Sequence, residues 1–288
     1  MTISADTIPV LGSIGELGKS YSAWLVDIWG VMHDGLRAHP RAVEATKAFR
    51  NQGGIVILLS NSPRPSREVQ AQLMSLGVPD DAYDATVTSG DLTRYELEKR
   101  SGARVFHLGP ELDRPIFSGL RLSLTDPEQA QLIVCTGLFD DETETPEDYD
   151  PLLKSLAKRG LPMICANPDR MVEKGSQLIY CAGALADRYA VDGGSVIYAG
   201  KPYAPIYALA FEAASRIAGK DIAPEEVLAI GDGIMTDMEG AAGVGLDAVF
   251  IASGLHLDKR EDGLDHGVVA NLFAGRNPPL AALDKLAW

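Results

Sequence analysis

The sequence predicts an α/β fold: a core built on a doubly wound parallel sheet, with a smaller α/β unit inserted into it. Three observations predict this. Apolar runs of strand length alternate with stretches whose apolar residues recur at helical spacing. Polar groups far apart in the chain fall at the ends of such runs, where parallel strands present their carboxyl termini. The alternation is also interrupted by a self-contained middle stretch before it resumes.

The first strand is expected over residues 22–28, where Trp24-Leu25-Val26 runs into Asp27. Turn residues follow from His33-Asp34-Gly35 to His39-Pro40, and Pro40 suits the first turn of a helix. Ala42, Ala45 and Phe49 recur on one face of that helix, and Gly53 stops it. Ile55-Val56-Ile57-Leu58-Leu59 then forms a second strand ending in Ser60-Asn61. The next helix starts near Ser66, with Val69, Leu73 and Leu76 on one face and Gly77 as its stop.

The middle of the chain repeats the pattern, with strands expected over residues 104–108, 131–136 and 162–166. Asp140-Asp141-Glu142-Thr143-Glu144 between two of them reads as a solvated loop. The alternation then resumes as a continuation of the first sheet. Val196-Ile197-Tyr198 leads to Gly200-Lys201-Pro202, followed by a helix carrying Ile206, Leu209, Ala213 and Ile217 and closed by Gly219. Strands over 227–230 and 248–252 complete the core. The expected division is therefore a core of residues 1–89 and 193–288 and an inserted unit of residues 90–192. The apolar stretch 280–288 reads as a final packing helix, or as a contact surface for a homo-oligomer.

A chain of 288 residues with 46% hydrophobic content has ample material for a core. A net charge of −14 argues against nucleic acid as a partner, because phosphate-backbone binding needs a basic face. Cys135, Cys165 and Cys181 lie in apolar runs with no C-x-x-C spacing, which suits buried free thiols in a reducing compartment. Residues Met1 to Asp6 lack the basic-then-apolar pattern of a signal peptide, and no apolar run approaches a membrane span. A cytoplasmic protein with no membrane partner is expected.

Asp27, Ser60-Asn61, Lys201 and Gly231-Asp232-Gly233 with Asp237 make sense together. Carboxylates, a hydroxyl and an ammonium meeting at strand ends suit an anionic ester and a hard divalent cation. Singly, each has a plainer reading: a capping aspartate, an Asp-Gly turn, a Ser-Asn turn, a surface lysine. Arg64, just past Ser60-Asn61, is a further candidate for gripping phosphate, or a surface arginine. Gly240-Ala241-Ala242-Gly243-Val244-Gly245 has the wrong spacing for a dinucleotide fingerprint and reads as a packing stripe.

The order Asp, Ser-Asn, Lys, Gly-Asp-Gly-x-x-x-Asp resembles the haloacid dehalogenase (HAD) superfamily. The long insert and the Gly200-Lys201-Pro202 setting resemble its class IIA, NagD-type branch. The resemblance implies a Rossmann-like core with an α/β cap that selects the substrate. It implies that Asp27 is a nucleophile forming an aspartyl-phosphate. Mg²⁺ would be held by Asp27, the backbone carbonyl of Trp29 and Asp232, with Asp237 as a ligand or as an orienting group. Ser60, Asn61 and Lys201 would hold the phosphoryl oxygens. In the cap, Asn167-Pro168-Asp169-Arg170 resembles a loop facing the active site; Asn167 and Asp169 would read hydroxyls, and Arg170 a second anionic group. An Asn-Pro turn is the plainer reading of that loop.

One position departs from the superfamily's pattern. Where most members carry a second aspartate as general acid and base, this chain has Trp29, which cannot shuttle a proton. Such assistance is worth roughly 10²–10⁴-fold in rate. His33 and Asp34 are the nearest candidates to replace it, although Asp34-Gly35 is also a turn signal. The expected function is a Mg²⁺-dependent phosphatase of small phosphorylated metabolites, a sugar phosphate or a nucleotide. The alternative is a phosphoester-binding or regulatory protein with impaired catalysis. A phospho-receiver domain fits poorly, because Asp232 and Asp237 follow the lysine.

Overall fold

The structure is a computed structural model that describes residues 8–174, 177–252 and 264–288. The N-terminal segment read for targeting signals, Met1 to Asp6, lies outside the described residues. In chain order the strands are β1 Ala23–Asp27, β2 Ile55–Ser60, β3 Ala85–Thr88, β4 Arg104–Leu108, β5 Ser123–Leu124, β6 Leu132–Cys135 and β7 Pro162–Cys165. They continue with β8 Met171–Lys174, β9 Gln177–Tyr180, β10 Ser195–Tyr198, β11 Val227–Gly231, β12 Asp247–Ile251 and β13 Ala281–Leu283. The chain divides into two compact units, one of Met1–Ser60, Gln70–Val87 and Tyr207–Trp288, the other of Asn61–Val69 and Thr88–Ile206.

The first unit is built on a six-stranded sheet of order β13-β12-β11-β1-β2-β3. β1 pairs in parallel with both β2 and β11. Numbered by their appearance in this sheet the strands run 6-5-4-1-2-3, the doubly wound order, and the winding reverses between β1 and β11. All five residues of β1 and of β11 are buried, as strands covered on both faces must be. Helix Pro40–Arg50 buries Ala42, Ala45 and Phe49. Phe49 stacks on Trp24 with ring centroids 4.0 Å apart. Trp288 tilts against the same indole at 6.1 Å. The stretch 280–288 is thus an edge strand and a packed tail, not a helix; Ala281 and Leu283 sit in register against Val249 and Ile251.

The second unit holds a five-stranded sheet of order β10-β7-β6-β4-β5 and the antiparallel pair β8–β9. Its core packs Leu153 and Leu156 of helix Asp150–Lys158, and Leu185 and Tyr189 of helix Ala182–Val191, with Ile133 and Met163 of the sheet. Here the structure departs from the sequence reading. β10 does not continue the first sheet; it pairs with β7, Ser195 opposite Pro162 and Tyr198 opposite Cys165. The cause is the short link before it. Helix Ala182–Val191 is buried in the second unit, and only three residues separate its end from β10. Gly193, at φ +85°, turns the chain straight back beside the helix. The strand must then join the sheet that this helix already covers. The acidic stretch 140–144 is an exposed turn in which Asp140 accepts from the Glu142 N–H at 3.0 Å.

Candidate active site

In the first unit, parallel pairing brings the ends of β1 and β11 level, because Val26 lies opposite Ile230. Asp27 therefore stands beside Gly231, and Asp232 follows one residue beyond. On the other side, Asp27 is opposite Leu59, which puts Ser60 at the same edge. After Gly233 the chain enters a π-type turn over Ile234–Met238, with the Met238 N–H reaching back to the Gly233 carbonyl at 3.0 Å. Such turns widen a helix by one residue and re-aim a side chain. Here the turn directs Asp237 inward, where its Oδ2 accepts from the Gly233 N–H at 3.0 Å.

Asp27, Asp232 and Asp237 are all buried, and one oxygen from each lies within 4.8 Å of the others. Among the described residues this is the one grouping of His, Cys, Asp or Glu with metal-holding geometry. Three buried carboxylates so close repel one another, and a cation held among them relieves that repulsion. An all-oxygen donor set suits a hard divalent cation rather than a soft one. The backbone has been cleared to admit these groups. Gly30 sits at φ +84°, and a Cβ there would stand 2.0 Å from Asp232 Oδ2. A Cβ on Gly231 would stand 2.2 Å from Asp237 Cγ. The residues present therefore fit a divalent metal.

The loop after β1 is self-contained. The Gly30 N–H donates to the His33 carbonyl at 2.8 Å, and the Trp29 and His33 rings meet edge to face at 5.2 Å. Trp29 also lies over Gly35, whose missing side chain leaves room for the indole. His33 is buried, and its Nδ1 accepts from the Gly35 N–H at 2.9 Å, which places the proton of the neutral ring on Nε2. Burial pushes its pKa down to about 4. Asp34 Oδ1 accepts from the N–H groups of Leu36 and Arg37, each at 2.9 Å. Both residues considered as replacements for the missing acid are thus engaged in the turn itself.

In the second unit, Asn61 spans 140 positions to hold Lys201. Its Oδ1 accepts from the Lys201 N–H at 2.7 Å, and its Nδ2 donates to the Lys201 carbonyl at 3.1 Å. Nδ2 also donates to Asp169 Oδ1 at 2.9 Å. Lys201 is only 3% exposed and precedes a cis peptide to Pro202. Gly200 permits this approach, since a Cβ there would fall 2.3 Å from Ser89 Oγ and 2.6 Å from Asn61 Oδ1. Asn167 Oδ1 accepts from the Asp169 N–H at 3.1 Å, forming the Asn-Pro turn.

The two arginines expected to meet substrate anions meet protein carboxylates. Arg64 Nε is 3.4 Å from Asp113 Oδ1, and Arg170 Nε is 2.6 Å from Asp187 Oδ2. Burial raises the Asp113 carboxyl, with Arg64 opposing that rise. Sequence reasoning missed Gly30, Ser89 and Asp113. A glycine following the strand-end aspartate is a readable sign for the first. The Thr88-x-x-Asp91 capping box marks the helix start at Ser89. No local signal marks Asp113.

Comparison with known proteins identifies relatives of the whole chain. A family model described as haloacid dehalogenase-like hydrolase matches residues 24–121, and a HAD-hydrolase-like model matches residues 198–273. The crystal structure of a haloacid dehalogenase-like family hydrolase from Brucella suis 1330 is 47% identical, with a TM-score of 0.83 over 85% of this chain and 94% of that one. The 5'-nucleotidase YutF of Bacillus subtilis is 26% identical over 84% of this chain and 91% of its own. An acid sugar phosphatase of Staphylococcus saprophyticus is 27% identical over 82% and 88%. No helix among the described residues is long and apolar enough to cross a membrane.

Proposed function

This chain belongs to the haloacid dehalogenase-like family of hydrolases, and from that premise we propose that it is a Mg²⁺-dependent phosphatase of small phosphorylated metabolites. The observation that carries the proposal is the trio of buried carboxylates at the switch point of the first sheet. The relatives named as a nucleotidase and a sugar phosphatase support a nucleotide or sugar phosphate as substrate.

In the proposed reaction an Asp27 carboxylate oxygen bonds to phosphorus as the ester P–O bond breaks, and the departing oxygen takes a proton from water. Water then attacks the aspartyl-phosphate, releasing inorganic phosphate and restoring Asp27. Asp27, Asp232, Asp237 and the Trp29 carbonyl are the proposed metal ligands. The bound cation supplies charge neutralisation for the phosphoryl group. Ser60 donates its hydroxyl to a phosphoryl oxygen, and the Lys201 ammonium balances the charge that builds in the transition state. Asn61 holds the Lys201 backbone for that role. The second unit is the proposed substrate-selecting cap. Three buried free cysteines support a reducing, cytoplasmic setting.

The test is phosphate release from a panel of metabolite esters, with and without Mg²⁺. Release should require the metal and vanish in Asp27→Asn. Activity that survives that substitution excludes Asp27 as nucleophile.

A second reading, phosphoester binding with little turnover, is favoured by Trp29 and by the engagement of His33 and Asp34 in their turn. Trp29→Asp separates the two. A gain of roughly 10²–10⁴-fold marks a site lacking its acid; a loss marks Trp29 as part of a working site.

A further inference from the structure

A side-chain amide has one donating end and one accepting end, so the hold of Asn61 on Lys201 works in a single orientation. Oδ1 must face the Lys201 N–H and Nδ2 the Lys201 carbonyl. Turned over, donor would meet donor and acceptor would meet acceptor. Two further groups of the second unit touch this amide. The Ser89 hydroxyl, buried at the start of its helix, donates to Asn61 Oδ1 at 3.4 Å. Asp169 Oδ1 accepts the remaining Nδ2 hydrogen at 2.9 Å. An ionised carboxylate only accepts, so it can face Nδ2 and never Oδ1. Of the two, Asp169 makes the shorter bond and carries the charge.

Asp169 is itself held by its loop. Its N–H donates to Asn167 Oδ1 at 3.1 Å, and its carbonyl accepts from the Gly183 N–H at 3.0 Å. Gly183 leaves space for that approach, since a Cβ there would run into the Pro168 and Asp169 carbonyl oxygens. On one side of Asp169 the Cys165 thiol donates to the Asn167 carbonyl at 3.3 Å. On the other, the Cys181 N–H donates to the Arg170 carbonyl at 2.9 Å. The loop is thus fixed before and after Asp169, and it delivers a carboxylate oxygen to Asn61.

We propose that Asp169 is a positioning residue for Lys201, acting through the Asn61 amide, rather than a reader of substrate hydroxyls. That role rests on the reading of Lys201 as the group that balances phosphoryl charge. A carboxylate that sets the amide also sets the Lys201 backbone, and the backbone sets where the ammonium is presented. Loss of Asp169 therefore slows the chemical step for every ester alike. Loss of a hydroxyl reader would instead weaken the binding of hydroxylated esters alone.

The test is steady-state phosphate release by the full chain, in Mg²⁺, from a hexose monophosphate and from phenyl phosphate, which carries no hydroxyl. Asp169→Ala should lower kcat roughly 10–100-fold on both esters and leave both KM values within about twofold. Asp169→Asn keeps an acceptor for Asn61 Nδ2 and should recover most of the rate. Asp169→Leu keeps the side-chain size without an acceptor, and it stands in for the alanine variant if that does not fold. A rise in KM confined to the hexose ester overturns the proposal, as does an Asp169→Asn variant no faster than Asp169→Ala. Lys201→Met tests the reading beneath it: if that variant keeps the parent's rate, Lys201 does not balance phosphoryl charge. If it loses the rate while Asp169→Ala keeps it, the positioning role alone fails. The link to Asn61 is also read without substrate, in urea unfolding. Stability losses of Asn61→Ala and Asp169→Ala should overlap, so that the double variant loses less than their sum. Additive losses overturn the proposal even if no ester is hydrolysed.

Discussion

Asn61 pairs with both backbone polar groups of Lys201, taking its N–H at 2.7 Å and donating to its carbonyl at 3.1 Å. One amide thus acts on Lys201 as a neighbouring strand would. Asn61→Ala removes both of these hydrogen bonds at a buried site, where each lost bond costs about 1–3 kcal/mol. Urea unfolding should show a loss of about 2–5 kcal/mol. Asn167→Ala, which removes the bond from the Asp169 N–H and a weak one with the Cys181 thiol at a half-buried position, should cost about 1 kcal/mol. Equal losses in the two variants would contradict the assignment.

Gly30 and Asp232 share one small space. Gly30→Ala adds strain at φ +84° and puts a methyl where Asp232 Oδ2 now lies. The carboxylate must move. The variant should be less stable by more than about 1 kcal/mol. It should also lose most of the Mg²⁺-induced rise in Tm, read by calorimetry with and without EDTA.

Removing one charge from the carboxylate trio should have opposite effects with and without metal. Asp237→Asn keeps an oxygen to accept from the Gly233 N–H but relieves repulsion within 4.8 Å. In EDTA it should stabilise the protein by on the order of 1–3 kcal/mol. In Mg²⁺ it should be less stable than the parent, because a ligand is lost. A variant less stable in both conditions would show that repulsion does not dominate the metal-free site.

His33 and His107 are both buried, with pKa pushed down from the ordinary 6.5 to about 4. Between pH 6.5 and 4 the unfolded chain binds protons that the folded one refuses, so unfolding becomes more favourable as pH falls. Their contribution is fully present above pH 6.5, is lost progressively down to about 4 and then levels off. Each ring accounts for up to about 3 kcal/mol. His107→Asn should flatten the fall in Tm across this window; an unchanged slope would show that the imidazole titrates normally.

Much of the site can be read along the chain, because a parallel strand announces itself locally: an apolar run, then a polar residue. Asp27, Ser60 and Asp232 are legible in this way, and the helices from Pro40, Ser66 and Lys201-Pro202 follow from spacing and stops. Trp29 is equally plain, since a residue that cannot carry a proton is visible without coordinates. The partner of Arg64, the hold of Asn61 on Lys201 and the sheet that β10 joins are not legible.

The sequence by itself determined the fold class, the order of the strand-end polar groups and the absence of a second acidic residue at position 29. These depend on spacing and residue type over a few neighbours. Tertiary structure alone decided that three carboxylates share one small volume, that Gly30 makes room for Asp232, and that β10 belongs to the second sheet. Those outcomes depend on contacts between residues far apart in the chain. Strand pairing and close packing set such contacts only when the whole fold is assembled.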